Sequence, residues 1–168
     1  MLRNILDLFK RTTAAPMTIS TEIAPPEEMV STVRRELARA AHRRNGLVVG
    51  LLHLEGPQES LDAREVGSLM GQVLREDDTV LRILSNRFLI LARVSEAKSG
   101  HQLADHLMGR FDQLAEGKNW ALTPCAGFLY LPRPKAVDDV QQILQAADNL
   151  VAEVAAVTGS SFLLRGWI

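Results

Sequence analysis

The chain has 168 residues, 46% of them hydrophobic and 23% charged, which suits one globular domain with a full core and is too little for two independent ones. A formal net charge of −1 removes any global field toward nucleic acid or an anionic membrane, so an anion site has to be local. The single cysteine, Cys125, excludes an internal disulfide framework and fits a reducing compartment.

Met1 to Arg11 carries Leu2, Ile5, Leu6 and Phe9 on one helical face, with charges scattered between them. It lacks the continuous apolar core and small-residue cleavage site of a secretory signal. No run in the chain approaches the roughly 20 apolar residues that span a bilayer. The segment reads as a short helix packed on its own domain or frayed, and alternatively as a docking segment for a partner or a membrane surface. Thr12 to Pro26, with its Ala-Ala-Pro, Ser/Thr residues and Pro25-Pro26, reads as a linker. Residues 1–26 therefore precede a domain of 27–168.

Glu27 to Arg44 has Met29, Val33, Leu37 and Ala40 at helical spacing, acids in the first turn and His42-Arg43-Arg44 in the last, both favourable to the helix dipole. Asn45-Gly46 stops it. Leu47 to Leu54 is a nearly continuous apolar run, the pattern of a strand buried on both faces, and Gly56-Pro57 ends it. Ser60 is the expected N-cap of a helix reaching Glu76, with Val66, Leu69, Met70, Val73 and Leu74 in one stripe. That places Arg75 and Asp78 at an exposed helix end. Thr79 to Ile83 and Phe88 to Val94 flank Leu84-Ser85-Asn86-Arg87 as a β-hairpin, with Ser and Asn at the bend because their side chains bond the local backbone.

After the hairpin, Leu103, Leu107, Phe111 and Leu114 define a helix closed by Gly117. Trp120 to Leu131 is a strand interrupted by Pro124. Val137 to Val157 is the last helix, and Phe162 to Ile168 closes the chain as an edge strand. This order predicts an α+β fold in which a single mixed sheet is covered by helices.

Most other chemistry finds no support. His42, His53, His101 and His106 show neither i,i+4 pairing on a helix nor a neighbouring cysteine, so no metal is expected. His53 reads as a hydrogen-bonded core residue and Cys125 as a small buried hydrophobe. No Walker sequence, G-x-G-x-x-G or G-x-S-x-G occurs, and no cofactor is expected.

The stretch Arg75-Glu-Asp-Asp78-Thr-Val-Leu-Arg82-Ile83-Leu84-Ser85-Asn86-Arg87-Phe88 carries a resemblance. It resembles the signature of the GGDEF family, the diguanylate cyclases that make cyclic di-GMP from two GTP molecules. The family's tip reads Gly-Gly-Asp/Glu-Glu-Phe after an Arg and one further residue; here Arg82 and Phe88 survive. Arg75-Glu-Asp-Asp78 stands where many members carry an Arg-x-x-Asp motif that binds cyclic di-GMP as product. Cys125-Ala-Gly127 stands in place of Ser-x-Gly, and Ala147-Asp148 in place of Ala-Asp without the Tyr and Lys that follow it. The likeness covers about Glu27 to Ile168 and implies the GGDEF, nucleotide-cyclase palm-like fold.

The same resemblance implies what is missing for turnover. The family binds divalent metal with an Asp at the end of the first strand and an acid at the tip, because magnesium prefers carboxylate oxygens and neutralises charge on the transferring phosphoryl group. Here His53-Leu54-Glu55 ends the strand, and Arg87 puts a cation where the metal would sit. Leu84 and Ser85 replace the glycines, and the short connection from Glu55 to Arg75 has no counterpart of the family's GTP-recognition segment. The expectation is therefore that the chain is not an enzyme.

What the resemblance implies instead is a degenerate GGDEF domain, similar to the GGDEF part of Pel-type polysaccharide receptors. It would serve as a cyclic di-GMP receptor controlling a partner in exopolysaccharide, biofilm or motility regulation. An arginine pairs in two-pronged fashion with guanine or phosphate, and a carboxylate accepts from guanine N–H groups. The expected ligand-binding residues are Arg75, Asp78 and a further arginine on the helix after the hairpin, assigned to Arg110 rather than His106 one turn earlier. The Arg35/Arg39/Arg43 face is a second source. The expected location is cytoplasmic, with membrane association only through a partner; a protein partner engaged through residues 1–26 and a homodimer are both compatible. A nucleotide-independent scaffold or dimerisation module is the alternative.

Overall fold

The structure, a computed structural model, describes residues 19–20, 22–117, 120–157 and 161–167. The segment 1–18 lies outside the described residues, and with it the amphipathic stretch at Leu2 to Phe9.

The chain joins the fold before Glu27. Ile19 lies against Gly67, and Ile23 forms a parallel bridge to Arg82, with the Ala24 N–H donating to the Arg82 carbonyl at 2.7 Å. Helix α1, Pro26–Arg43, has proline at its first turn, where the missing N–H costs nothing. It ends on Arg44 in the left-handed region (φ 56°), whose N–H reaches the Ala40 and Ala41 carbonyls.

Strand β1, Gly46–Glu55, is the middle of a five-stranded sheet of order β2-β3-β1-β4-β5. Its flanks are antiparallel: β3, Arg87–Val94, on one side and β4, Thr123–Leu131, on the other. Strand β2, Thr79–Leu84, pairs with β3 as the hairpin, and β5, Ser161–Gly166, runs parallel to β4 at the opposite edge.

Helices cover both faces, which is why β1 and β3 are apolar without alternation. Val48, Leu52, Phe88, Ile90 and Phe128 pack toward α2, Ala63–Val73, and α3, Ala97–Gly117. Leu47, Val49, Leu51, Leu89, Leu91 and Leu129 pack toward α1 and α4, Val140–Ala155. The mixed sheet and its helical layers match the expected α+β architecture. Among the described residues no helix is long and apolar enough to cross a membrane.

Helix α2 differs from its expected limits at both ends. Gln58–Ser60 is a short 3-10 turn, and the N-cap is Asp62, whose Oδ1 accepts from the N–H groups of Arg64 (3.0 Å) and Glu65 (3.4 Å). A carboxylate at this position satisfies two orphan donors and faces the positive end of the dipole, which Ser60 would do less well. The helix stops at Val73, and Leu74 is already extended. Arg75 and Asp78 thus lie in a turn beyond the helix.

Candidate functional site

The turn Arg75 to Asp78 is closed twice. The Asp78 N–H donates to the Arg75 carbonyl at 3.0 Å, and the Arg75 N–H donates to Asp78 Oδ2 at 2.8 Å. Asp78 is 5% exposed, so its carboxylate is turned inward to shape the turn, whereas Arg75 is exposed. Residue spacing predicts both at an exposed end; in the structure Arg75 is exposed and Asp78 is turned inward.

Arg110 lies on α3, which packs beside α2, and its Nη2 donates to Gln72 Oε1. Gln72 is three residues before Arg75, so Arg110 is drawn to the end of α2 that leads into the turn. A cleft of about 360 Å³ lies between the two helices, lined by Glu65, Ser68, Leu69, Gln72, Arg110 and Gln113 together with Leu114, and Arg75 is not part of its lining. His106 is exposed one turn earlier on the same helix. Two members of the second arginine source, Arg35 and Arg39, face a carboxylate on their own helix. Arg39 reaches Glu36 Oε1 at 3.3 Å and Arg35 lies 3.9 Å from it, Glu36 being buried. A larger, mostly apolar groove of about 770 Å³ runs along α1 by Pro26, Val30 and Ala38 and is separate from the Arg75 turn.

At the other end of the sheet, the hairpin tip is fastened to the end of β1. Arg82 donates from Nε (3.1 Å) and Nη2 (2.7 Å) to the Ser85 carbonyl. The Asn86 carbonyl accepts from the Leu54 N–H at 2.9 Å, and Asn86 Nδ2 donates back to the Leu54 carbonyl at 3.1 Å. The strand register sets Arg87 opposite His53, and His53 opposite Cys125. Arg87 Nη1 pairs with Asp148 Oδ1 of α4 at 2.6 Å.

This contact depends on how closely α4 approaches β4. A Cβ on Gly127 would stand 2.6 Å from Leu150 Cβ and 2.7 Å from the Ala147 carbonyl, so only glycine seats the helix there.

His53 differs from the expectation of a hydrogen-bonded core residue: its Nδ1 is buried with no partner among the described residues. Burial lowers its pKa below the ordinary value, and the Arg87 guanidinium lowers it further. Cys125 is buried, which raises its thiol pKa and agrees with an inert hydrophobe. Among the described residues no group of three His, Cys, Asp or Glu side chains is placed to hold a metal ion. His53 and Arg87 do not make the carboxylate-rich donor set that magnesium prefers.

No protein-family model and no curated protein matches the sequence. Solved structures do match the fold. The GGDEF domain of TpbB (YfiN) from Pseudomonas aeruginosa superimposes with a TM-score of 0.67 at 17% identity, covering 86% of this chain and 91% of that one. The diguanylate cyclase SiaD from Pseudomonas aeruginosa, solved in complex with its activator SiaC, gives 0.67 at 16% identity over 98% of this chain and 66% of its own. The GGDEF domain of DgcB from Caulobacter crescentus, solved in complex with c-di-GMP, gives 0.66 at 13% over 90% and 98%.

The fold is therefore that of GGDEF domains. The expectation that the chain is not an enzyme is corrected by these likenesses, because the similar structures are mostly diguanylate cyclases. The physical reason is that the replaced residues change side chains at the hairpin and strand end while the sheet, hairpin and helices on which cyclases are built remain in place.

Proposed function

We propose that this domain binds cyclic di-GMP at the Arg75 turn and passes its binding state to a protein partner. Arg75 and Arg110 supply the guanidinium groups, and Asp78 holds the turn that presents Arg75. The observation that carries this reading is the bond from Arg110 to Gln72, which sets a second arginine beside the end of α2 from which the exposed Arg75 projects. Two guanidiniums from neighbouring elements suit a ligand with two phosphates and two guanine edges. DgcB was solved with c-di-GMP on the same fold.

SiaD was solved with a protein activator, and a partner is proposed here too, engaged through residues 1–26. Exopolysaccharide, biofilm or motility control is the class of process assigned to it.

The test is calorimetric titration of cyclic di-GMP into the full chain, Arg75→Ala and Arg110→Ala. The expected result is a Kd of about 1–10 μM for the wild type, lost in Arg75→Ala and weakened in Arg110→Ala. No heat at tens of micromolar protein overturns the proposal and leaves a scaffold. A turnover assay with GTP and magnesium on the same preparation decides whether bound dinucleotide acts on the domain's own chemistry or on a partner.

A further inference from the structure

We infer that Arg93 is a positioning residue for the dinucleotide, acting through Asp77 to hold the Arg75 turn against the sheet; this rests on the cyclic di-GMP reading above. Asp77 is one of the two central residues of the Arg75–Asp78 turn. Its Oδ2 accepts from Arg93 Nη2 at 2.7 Å. The two partners differ sharply in environment: the Arg93 side chain is 8% exposed and that of Asp77 57%.

Arg93 is therefore anchored near the end of β3, in register with Leu47 of the central strand, while Asp77 belongs to the surface loop that must meet the ligand. The bonds between Arg75 and Asp78 set the internal shape of the turn. The ends of the turn are fixed by buried Leu74 and by β2, which opens at Thr79; the Arg93–Asp77 pair ties its outer part to β3 as well.

The chemistry of Arg93 makes the hold stiff. Its Nε and Nη1 are buried and without a hydrogen-bond partner among the described residues, so Asp77, bonded to Nη2, is the carboxylate that faces this guanidinium. A buried cation that loses its carboxylate is strongly disfavoured, which keeps Asp77, and with it the turn, in place. The side chain of Arg75 is then delivered from a fixed backbone, and a ligand that needs two-pronged pairing does not have to order the loop first.

Electrostatics alone makes the opposite prediction for one variant, and that separates positioning from a simple charge effect. Asp77→Asn removes a negative charge two residues from Arg75. If only charge mattered, an anionic dinucleotide would bind it more tightly; if the ion pair positions the turn, it binds more weakly. The experiment titrates cyclic di-GMP into the full chain carrying Asp77→Asn, Arg93→Gln or Arg93→Lys, with thermal melts of each.

The expected result is binding weakened about tenfold in Asp77→Asn and in Arg93→Gln. Arg93→Lys, which keeps the cation, restores affinity to within about threefold of the wild type. Should Arg93→Gln fail to fold, Asp77→Asn at an exposed position carries the decision. Wild-type binding with unchanged or tighter binding in Asp77→Asn overturns the inference and leaves the cyclic di-GMP reading standing. Absence of binding in the wild type overturns both, and is told apart because the variants then play no part in the outcome.

Discussion

Gly127→Ala tests the seat of α4 on the sheet, and with it the contact that ties the hairpin to that helix. The added Cβ would stand 2.6 Å from Leu150 Cβ, 2.7 Å from the Ala147 carbonyl oxygen and 2.9 Å from the Val151 nitrogen. Ordinary contacts lie at about 3.5–4.0 Å, so α4 must retreat by about 1 Å. Two of the three obstacles are backbone atoms of α4, and no rotamer change relieves them. Overpacking of this kind costs about 1–3 kcal/mol, which for a chain of this size lowers Tm by about 3–10 °C. Gly109→Ala is the control. Gly109 is interior to α3, and a Cβ there meets nothing within 4 Å, so replacing it gains helix propensity and raises stability by about 0.5–1 kcal/mol. Thermal melts and urea titrations by circular dichroism read both. A Gly127→Ala protein that melts with the wild type would refute the close seat of α4.

Two further outcomes concern the hairpin end of the sheet. A double-mutant cycle of Arg87→Ala and Asp148→Ala is expected to give a coupling of about 0.5–1 kcal/mol, held low because the side chains are 23% and 45% exposed and water screens them; additive losses in urea unfolding would show that the pair does not form in solution. His53 gives a pH signature: its native pKa lies below the unfolded value of about 6.5, so between the two the unfolded chain takes up a proton that the native chain refuses. Its contribution is full above the unfolded pKa and is lost as pH falls through it, down to the native pKa. The stability of the wild type relative to His53→Gln should decline below about pH 6.5 by this linkage, and a difference that stays constant from about pH 5 to 8 would contradict the buried, unpartnered imidazole.

The architecture was legible because its signals are local. Leu47 to Leu54 and Phe88 to Val94 are apolar on both faces, as strands between two helical layers must be. The Ser85-Asn86 bend stands between two antiparallel strands, whose register shifts between Arg82 and Leu84 just before the bend. Helix limits were less legible, since Ser60 and Asp62 are both good caps and the choice depends on which side chain reaches the first free N–H groups. The direction of Asp78 was not legible at all. Spacing tells which residue types stand three apart, but whether a carboxylate faces a ligand or its own turn is decided by backbone geometry that Leu74, in leaving the helix, sets.

The side-chain contacts that join separate elements at the candidate sites are long-range, and nothing near either partner announces them. Arg87 meets Asp148 and Arg110 meets Gln72 because α4 and α3 cross the sheet where they do. The later motif likeness shows the same distinction between residue type and residue use. Cys125-Ala-Gly127 and Ala147-Asp148 look like two separate fragments of a signature, but in the fold they are one packing arrangement: Gly127 leaves the space into which the Ala147 carbonyl and Leu150 press. Such residues are held by the fold whether or not a nucleotide is turned over beside them, so their likeness to cyclases speaks for the scaffold. The Arg75 turn is different in kind. The core does not require Arg75 to be an exposed arginine, or Arg93 to reach out from β3 to Asp77. A function for this chain is therefore best sought at that turn, where side chains exceed what packing demands.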